Sequence, residues 1–262
     1  MAHIVCWVRH ASHELQHLKA ISDYLCQPIF DVVKRSAMID RDKRVGRKRK
    51  SRAVLLEQLG APRSQGIDLD DGTTELTATA YFRFDVSTDK PYPAPHQGDL
   101  VVPYMPEHLE DFLSSFRMLF AQLNGVLGWI SVEPTRTEAT AVCLGIDTRE
   151  TSARSDMSDQ RRRERMGQGR LRTYPTKLPA IHWGTFISQG HLAVVGLEQL
   201  QASPAFFRVE PVAADQPHAM AFLQLTADPI DALAPGYEQT LDAARAALAP
   251  LMLDVSDIEL ED

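Results

Sequence analysis

The middle of the chain shows the clearest alternation of apolar and polar positions. Across Glu75–Val86, small or apolar side chains occupy every second position and polar side chains lie between them. Successive side chains of a strand point to opposite faces, so this pattern predicts a β-strand with one face in the core and one in water. The apolar set is Leu76, Ala78, Ala80, Phe82 and Phe84.

The strongest helical period follows a proline-rich loop. From Pro106 onward, apolar residues recur at steps of three and four until Asn124 and Gly125 interrupt the pattern. Such spacing predicts an amphipathic α-helix, with proline in its first turn and Asn-Gly at its end. Its apolar stripe is Leu109, Phe112, Leu113, Phe116, Phe120 and Leu123. Strands are predicted next over Gly128–Val132 and Thr137–Ile146.

A similar order of elements recurs after the polar linker Thr148–Lys177. The pattern predicts a strand, a helix, two strands and a closing helix that opens near Pro235 and ends at Pro250. The first four ranges are Leu178–Ser188, Leu192–Gln201, Ala205–Val212 and Pro217–Thr226. Two strand–helix–strand–strand halves, 73–147 and 178–253, predict an α+β fold with a mostly antiparallel sheet and packed helices.

The first 60 residues are predicted to form a separate helical and basic appendage. A strand over Ala2–Val8 precedes a helix with apolar positions at steps of three and four, and a short helix spans Arg52–Leu59. Ala61–Gly72 is predicted to be a loop from its Pro, Gly, Ser and Asp content. The chain is thereby divided into an appendage (1–60), an α+β domain (70–253) and an acidic tail (254–262).

Charge is distributed unevenly along the chain. Lys34–Arg52 and Arg154–Lys177 hold 10 and 8 of the 28 Lys and Arg residues, but only 2 and 3 of the 35 Asp and Glu residues. The remaining sequence therefore carries a formal charge of about −20, although the whole chain carries −7. Such a surface repels nucleic acid and attracts basic proteins, which favours a protein-binding function.

The apolar runs and the cysteine content of the chain indicate its cellular compartment. No apolar run approaches the roughly 20 residues of a membrane helix, and Ile4–Val8 is too short for a secretory signal. Cys6, Cys26 and Cys143 form neither a C-x-x-C pair nor a disulfide framework. We expect a cytoplasmic, reduced protein that does not engage a membrane.

The sharpest catalytic motif is His13-Glu14-x-x-His17. On a helix it places two imidazoles on one face beside a carboxylate, as in zinc hydrolases. Only twelve residues precede it and the sequence places no third ligand, so a solvated helix face is the simpler interpretation. A zinc-dependent hydrolase remains an alternative, and we expect no metal and no cofactor.

The basic blocks provide a second alternative, a nucleic-acid-associated protein. Val45–Arg52 and Arg161–Arg165 are rich in Arg and Lys. Aromatic residues that would stack on bases are absent around Val45–Arg52, and the remaining charge is repulsive. Motifs for nucleophilic or phosphate chemistry are absent as well, so we expect neither direct nucleic-acid binding nor catalytic residues.

Acidic segments are the candidate contacts for a basic partner. The run Asp68-Leu-Asp70-Asp71-Gly72 lacks the alternating acids and the following Glu of a calcium loop, which leaves an acidic surface turn. The C-terminal tail is acidic too. The predicted partner-binding residues are Asp68, Asp70, Asp71, Asp257 and Glu259.

Three short segments carry a resemblance to a known family. His182-Trp183-Gly184-Thr185 corresponds to an N-W-L-T strand, and Leu127-Gly128-Trp129 corresponds to an L-x-W that follows a helix. Together with the strand Glu75–Val86, these make roughly residues 70–250 resemble the bacterial type VI secretion immunity proteins paired with restriction-endonuclease-like or virus-type replication-repair nuclease toxins. This chain has His and Gly where the family usually has Asn and Leu.

The resemblance implies a cytoplasmic α+β protein that binds a cognate toxin, a nuclease, and performs no chemistry itself. A nuclease active site lies in a basic groove, which an acidic inhibitor can occlude after electrostatically steered association. Trp129 and Trp183 are expected to lie in the core.

Overall fold

β-Strands and short helices alternate through the part of the chain that the computed structural model describes, residues 2–10, 35–40, 44–45, 64–70, 79–83, 96–144, 176–212 and 219–253. The strands are β1 (His3–His10), β2 (Arg35–Asp40), β3 (Arg44–Val45), β4 (Ser64–Asp70), β5 (Thr79–Arg83), β6 (His96–Pro103), β7 (Gly125–Glu133), β8 (Gly184–Ile187), β9 (Arg208–Pro211) and β10 (Ala221–Gln224). The helices are α1 (Leu109–Gln122), α2 (Arg136–Leu144), α3 (Gln189–Val195), α4 (Leu197–Gln201) and α5 (Tyr237–Ala247). Single 3₁₀ helices cover Pro106–His108 and Pro229–Leu233.

The chain divides into two compact units. The N-terminal unit is Trp7–Val126, and the C-terminal unit combines Met1–Cys6 with Leu127–Asp262. The seven described strand pairings, β2–β3, β2–β4, β4–β5, β5–β6, β7–β8, β8–β10 and β9–β10, are all antiparallel, and helices accompany the strands. The predicted α+β class with a mostly antiparallel sheet is therefore confirmed.

In the N-terminal unit, five strands follow the order β3-β2-β4-β5-β6. The predicted alternating strand is present as β5, Thr79–Arg83. The predicted loop over Ala61–Gly72 is wrong, because β4 occupies Ser64–Asp70. Ile67 and Leu69 alternate there with Asp68 and Asp70, a strand pattern that the many turn-forming residues of this segment concealed.

Helix α1 and the residue that follows it bury five of the six positions of the predicted apolar stripe, whereas Leu109 is half-buried. Phe112, Leu113, Phe116, Phe120 and Leu123 are all buried. The helix ends as predicted, because Asn124 adopts a left-handed conformation with φ of 48°. A Cβ atom on Gly125 would lie 2.3 Å from the Phe120 ring, so a side chain there has no room.

In the C-terminal unit, the strands follow the order β7-β8-β10-β9. Every residue of β8 and of β10 is buried, whereas β9, the outer strand of this order, is half-buried to exposed. Such uninterrupted burial is typical of central strands covered on both faces.

The predicted strand over Thr137–Ile146 is wrong, because Arg136–Leu144 forms helix α2. Thr135 caps this helix: its Oγ1 accepts a hydrogen bond from the Glu138 N–H at 3.3 Å and donates one to Glu138 Oε2 at 2.8 Å. The Thr135 carbonyl accepts the first helical hydrogen bond from the Ala139 N–H. A T-x-x-E pattern is a helix start signal, and it prevails over the apparent alternation of the small residues behind it.

The second predicted half is largely present, with shorter elements. The predicted strand Leu178–Ser188 is reduced to β8 and to a parallel bridge between Leu178 and Met252. The predicted helix Leu192–Gln201 is split into α3 and α4 at Gly196, whose φ of 73° no helix accommodates. The closing helix is present as α5.

The division into 1–60, 70–253 and 254–262 as independent parts stays a prediction. The predicted helices before residue 26 and over Arg52–Leu59 lie outside the described residues, as does the acidic tail.

Replacement of the α2 cap tests the corrected assignment. We expect Thr135→Ala to lower the free energy of unfolding by about 1 kcal/mol, because it removes the hydroxyl that caps the helix. Thr137→Ala, at an exposed position in the first turn of the same helix, is the matched control and should be neutral or slightly stabilising, since Ala is the better helix former. Urea unfolding of both variants measures the difference, and equal losses would contradict the cap.

Candidate protein-binding surface

The structure describes two of the five predicted partner-binding residues. Asp68 and Asp70 occupy alternate positions of β4. In the register of β4 with β2, Asp70 lies opposite Arg35. The run Asp68–Asp70 is therefore paired with β2, a strand that begins within the basic block Lys34–Arg52. Asp71, Asp257 and Glu259 lie outside the described residues.

A second group of acids, which sequence analysis did not single out, lies in the C-terminal unit. We call Asp228, Asp231, Glu238 and Asp242 the acidic segment. Asp228 Oδ1 accepts a hydrogen bond from the Ile230 N–H at 2.9 Å and caps the 3₁₀ helix Pro229–Leu233. Glu238 stands in the first turn of α5, where a carboxylate complements the helix dipole.

The acidic segment keeps a net negative charge because the described base beside it, Arg245, supplies one positive charge against four carboxylates. Arg245 Nη1 lies 2.7 Å from Asp242 Oδ1 and 3.6 Å from Glu238 Oε2. One guanidinium thus faces two of the four carboxylates. Across residues 176–212 and 219–253 the sequence holds six acids and three bases. The signal available in the sequence was the absence of any base between Asp228 and Asp242.

The two other bases in these ranges are engaged as well. Lys177 Nζ donates to the Pro250 carbonyl at 2.9 Å. Arg208 Nε lies 3.7 Å from Glu210 Oε1. Electrostatically, the described surface between 176 and 253 therefore suits a positively charged partner.

The segment that resembles the immunity family lies in the core of the C-terminal unit. Trp183 and Trp129 are buried, as expected, with 1% and 3% of their surface exposed. The Trp183 indole N–H donates to the carbonyl and the hydroxyl of Thr226, both at 3.0 Å. The His182 ring stacks on Trp129 with ring centroids 4.4 Å apart. The Thr185 hydroxyl accepts a hydrogen bond from the His182 N–H at 3.1 Å, so these side chains hold the strand in place.

His191 is a buried hydrogen-bonding group that sequence analysis missed. Its Nδ1 accepts a hydrogen bond from the Ser188 N–H at 3.3 Å, and its Nε2 lies 3.3 Å from the Lys177 carbonyl. These two contacts require the neutral tautomer with the proton on Nε2. Burial lowers the pKa of His191, and the hydrogen bond to Lys177 opposes that shift. The ring therefore links the start of α3 to the segment that precedes β8.

Other buried polar groups serve packing. Ser131 Oγ donates to Glu133 Oε1 at 3.0 Å, and both side chains are buried on β7. Burial raises the pKa of the Cys6 thiol, which disfavours the reactive thiolate. Among the described residues, no group of three or more His, Cys, Asp or Glu side chains is arranged to hold a metal ion. His13, Glu14 and His17 fall outside those residues.

The chain shares its fold with a solved structure. Pseudomonas aeruginosa T6SS protein PA0821 aligns with a TM-score of 0.58 and 12% sequence identity, covering 100% of this chain and 76% of that chain. At this identity the likeness concerns the fold alone. No protein-family profile matches the chain, and no curated protein matches it.

Within the described ranges, none of the helices combines the length and the hydrophobicity that a bilayer-spanning helix requires.

The His191 contacts predict a pH-dependent contribution to stability. Because the folded-state pKa lies below the unfolded value of about 6.5, the unfolded chain binds the proton more readily. The stability that neutral His191 provides is therefore complete above about pH 6.5 and is lost as the pH falls below it.

The variant His191→Gln isolates this contribution. We expect it to be less stable than the parent at pH 7.5 and to approach the parent at pH 5.5, where the parent has lost the neutral-imidazole contribution. Urea unfolding at both pH values measures the gap between the two proteins. A gap that stays constant or widens on acidification contradicts the assigned protonation state.

Proposed function

We propose that this protein is a type VI secretion immunity protein, which binds a cognate toxin, a nuclease, and blocks its active-site groove in the cytoplasm. The observation that carries the proposal is the fold likeness along the entire chain to a protein described as a T6SS protein. The resemblance of residues 70–250 to the immunity family gives the more specific role.

Charge supports a basic partner. The acidic segment exposes Asp228, Asp231 and Asp242 on one stretch of chain, with Arg245 as the base beside it. Opposite charges accelerate the encounter of two proteins and exclude partners of like charge. A nuclease groove, built to hold phosphates, is a partner of the required sign.

Inhibition by occupation requires no chemistry from this chain. The side chains of the resemblance motif are buried and hold β8 in place. Their contribution is a rigid scaffold that presents the surface carboxylates without large rearrangement, which limits the entropy cost of binding. We propose accordingly that the protein acts by stoichiometric binding and not as an enzyme.

Co-expression with the product of the adjacent gene in a naive bacterial host tests the proposal, since immunity genes generally lie beside toxin genes. We expect the neighbour to be toxic alone, harmless together with this chain, and recoverable with it as a stable complex. A catalytically dead form of the neighbour should still co-purify. A harmless neighbour, or a toxic one that neither binds this chain nor is suppressed by it, removes the proposal.

Charge reversal on the acidic segment tests the steering mechanism. We expect Asp231→Lys to slow association with the toxin about tenfold at low ionic strength. The difference should shrink as salt rises, because charges are screened beyond about 10 Å at 0.1 M. Stopped-flow association kinetics at several salt concentrations measure both effects.

Gln122→Lys, an exposed substitution at the end of α1, is the control for added positive charge and should leave the association rate nearly unchanged. Association rates that are insensitive to both salt and Asp231→Lys would contradict steering through this segment, whereas the co-expression result would still decide whether the toxin is bound.

A further inference from the structure

The outer edge of strand β9 presents the backbone N–H and C=O groups of Val209. The Val212 N–H donates to the Met220 carbonyl at 2.9 Å, which makes that pair a hydrogen-bonded pair of the antiparallel ladder. Such pairs alternate along a ladder. Glu210 with Phe222 and Arg208 with Gln224 are therefore hydrogen-bonded pairs, and the N–H and C=O of Val209 point away from β10.

The pairing on the other side of β10 gives the same result. The Leu225 N–H donates to the Trp183 carbonyl at 2.9 Å. By the same alternation, Leu223 and Ala221 face β8, which leaves Phe222 and Gln224 to face β9. Among the described residues β9 pairs with β10 alone, and it ends the strand order.

The side chains around Val209 are self-complementary. The sequence Phe207-Arg208-Val209-Glu210-Pro211 places a base and an acid symmetrically about Val209. If a second β9 pairs antiparallel with Val209 opposite Val209, Arg208 of each copy lies directly opposite Glu210 of the other. Both would lie on the same face, because a two-fold axis through Val209 perpendicular to the sheet preserves its faces.

We propose that two copies of this chain associate through β9, with the two-fold axis at Val209. The two Val209 residues exchange both of their N–H···O hydrogen bonds across the axis. The 208–210 positions then form non-hydrogen-bonded pairs, in which side chains lie closest and opposite charges attract.

Two residues limit the length of this pairing. Phe207 is 55% exposed, but it precedes β9 and leaves the regular ladder, because its N–H donates to the Gln224 carbonyl at 2.9 Å and does not point away from β10. Pro211 has no N–H to donate to a second copy, and it discourages longer pairing with an unrelated strand. The contact between copies is therefore centred on Arg208, Val209 and Glu210.

A charge-swap experiment on the full chain tests the dimer. Sedimentation is measured up to about 1 mM protein, because an interface of this size binds weakly. We expect the parent to dimerise, and Arg208→Glu alone and Glu210→Arg alone to weaken self-association about tenfold, since each places like charges opposite one another twice. An equimolar mixture of these two variants should form a heterodimer, because both cross-copy pairs are then of opposite charge.

The mixture separates the contact between copies from the contact within one copy. The intrachain Arg208–Glu210 pair, at 3.7 Å, is lost in both variants, so only pairing between copies can restore association. Glu107→Arg, the same kind of charge change at an exposed site on the 3₁₀ helix Pro106–His108, should dimerise like the parent. A parent that stays monomeric, single variants that dimerise as well as the parent, or a mixture that does not associate each overturns the proposal.

A backbone variant provides a second measurement. Val209→Pro removes the outward N–H and should abolish the dimer, whereas Val209→Thr keeps that N–H and a β-branched side chain and should preserve it. Circular dichroism checks that both variants are folded. Equal dimerisation of the two folded variants overturns the assigned register.

Discussion

The C-terminal unit depends on strand β8, which is buried on both faces and bonded along both edges. Pairing to β7 and β10 satisfies its backbone, and burial of all four residues leaves no solvent to replace a lost partner. The Trp183 indole, directly before β8, donates hydrogen bonds to Thr226, two residues after β10, and so adds a side-chain contact to this pairing. Gly184 leaves space for the Phe222 ring, since a Cβ atom there would lie 2.8 Å from it.

This constraint explains why the segment that resembles a protein family is buried and not a contact surface. The His182 ring stacks on Trp129, the Thr185 hydroxyl accepts a hydrogen bond from the His182 N–H, and the Trp183 indole donates one to the Thr226 carbonyl. In the proposed function, specificity for the partner comes from the surface, where carboxylates such as Asp231 are exposed.

Sequence patterns predicted the elements whose signal is local. The α1 stripe was predictable because five aromatic or Leu side chains repeat at helical spacing, and its end because Asn124 tolerates a left-handed conformation. Helix α2 was missed although Thr135-x-x-Glu138 is a local cap signal, because small residues at alternate positions imitate a strand. The register that places Asp70 opposite Arg35 was not predictable, since it joins residues far apart in sequence. For His191 the contact with Ser188 is local, but the contact with the Lys177 carbonyl, 14 residues earlier, was not predictable from the sequence pattern.

We propose that this chain neutralises a nuclease by occupying it, with one copy consumed for each toxin bound. The most direct measurement is a titration of the purified neighbouring toxin's nuclease activity with this chain, at toxin concentrations well above the dissociation constant. We expect a linear loss of activity that ends at one chain per toxin active site. Loss of activity from a small fraction of an equivalent, increasing with time, would show catalytic inactivation of the toxin and would contradict it.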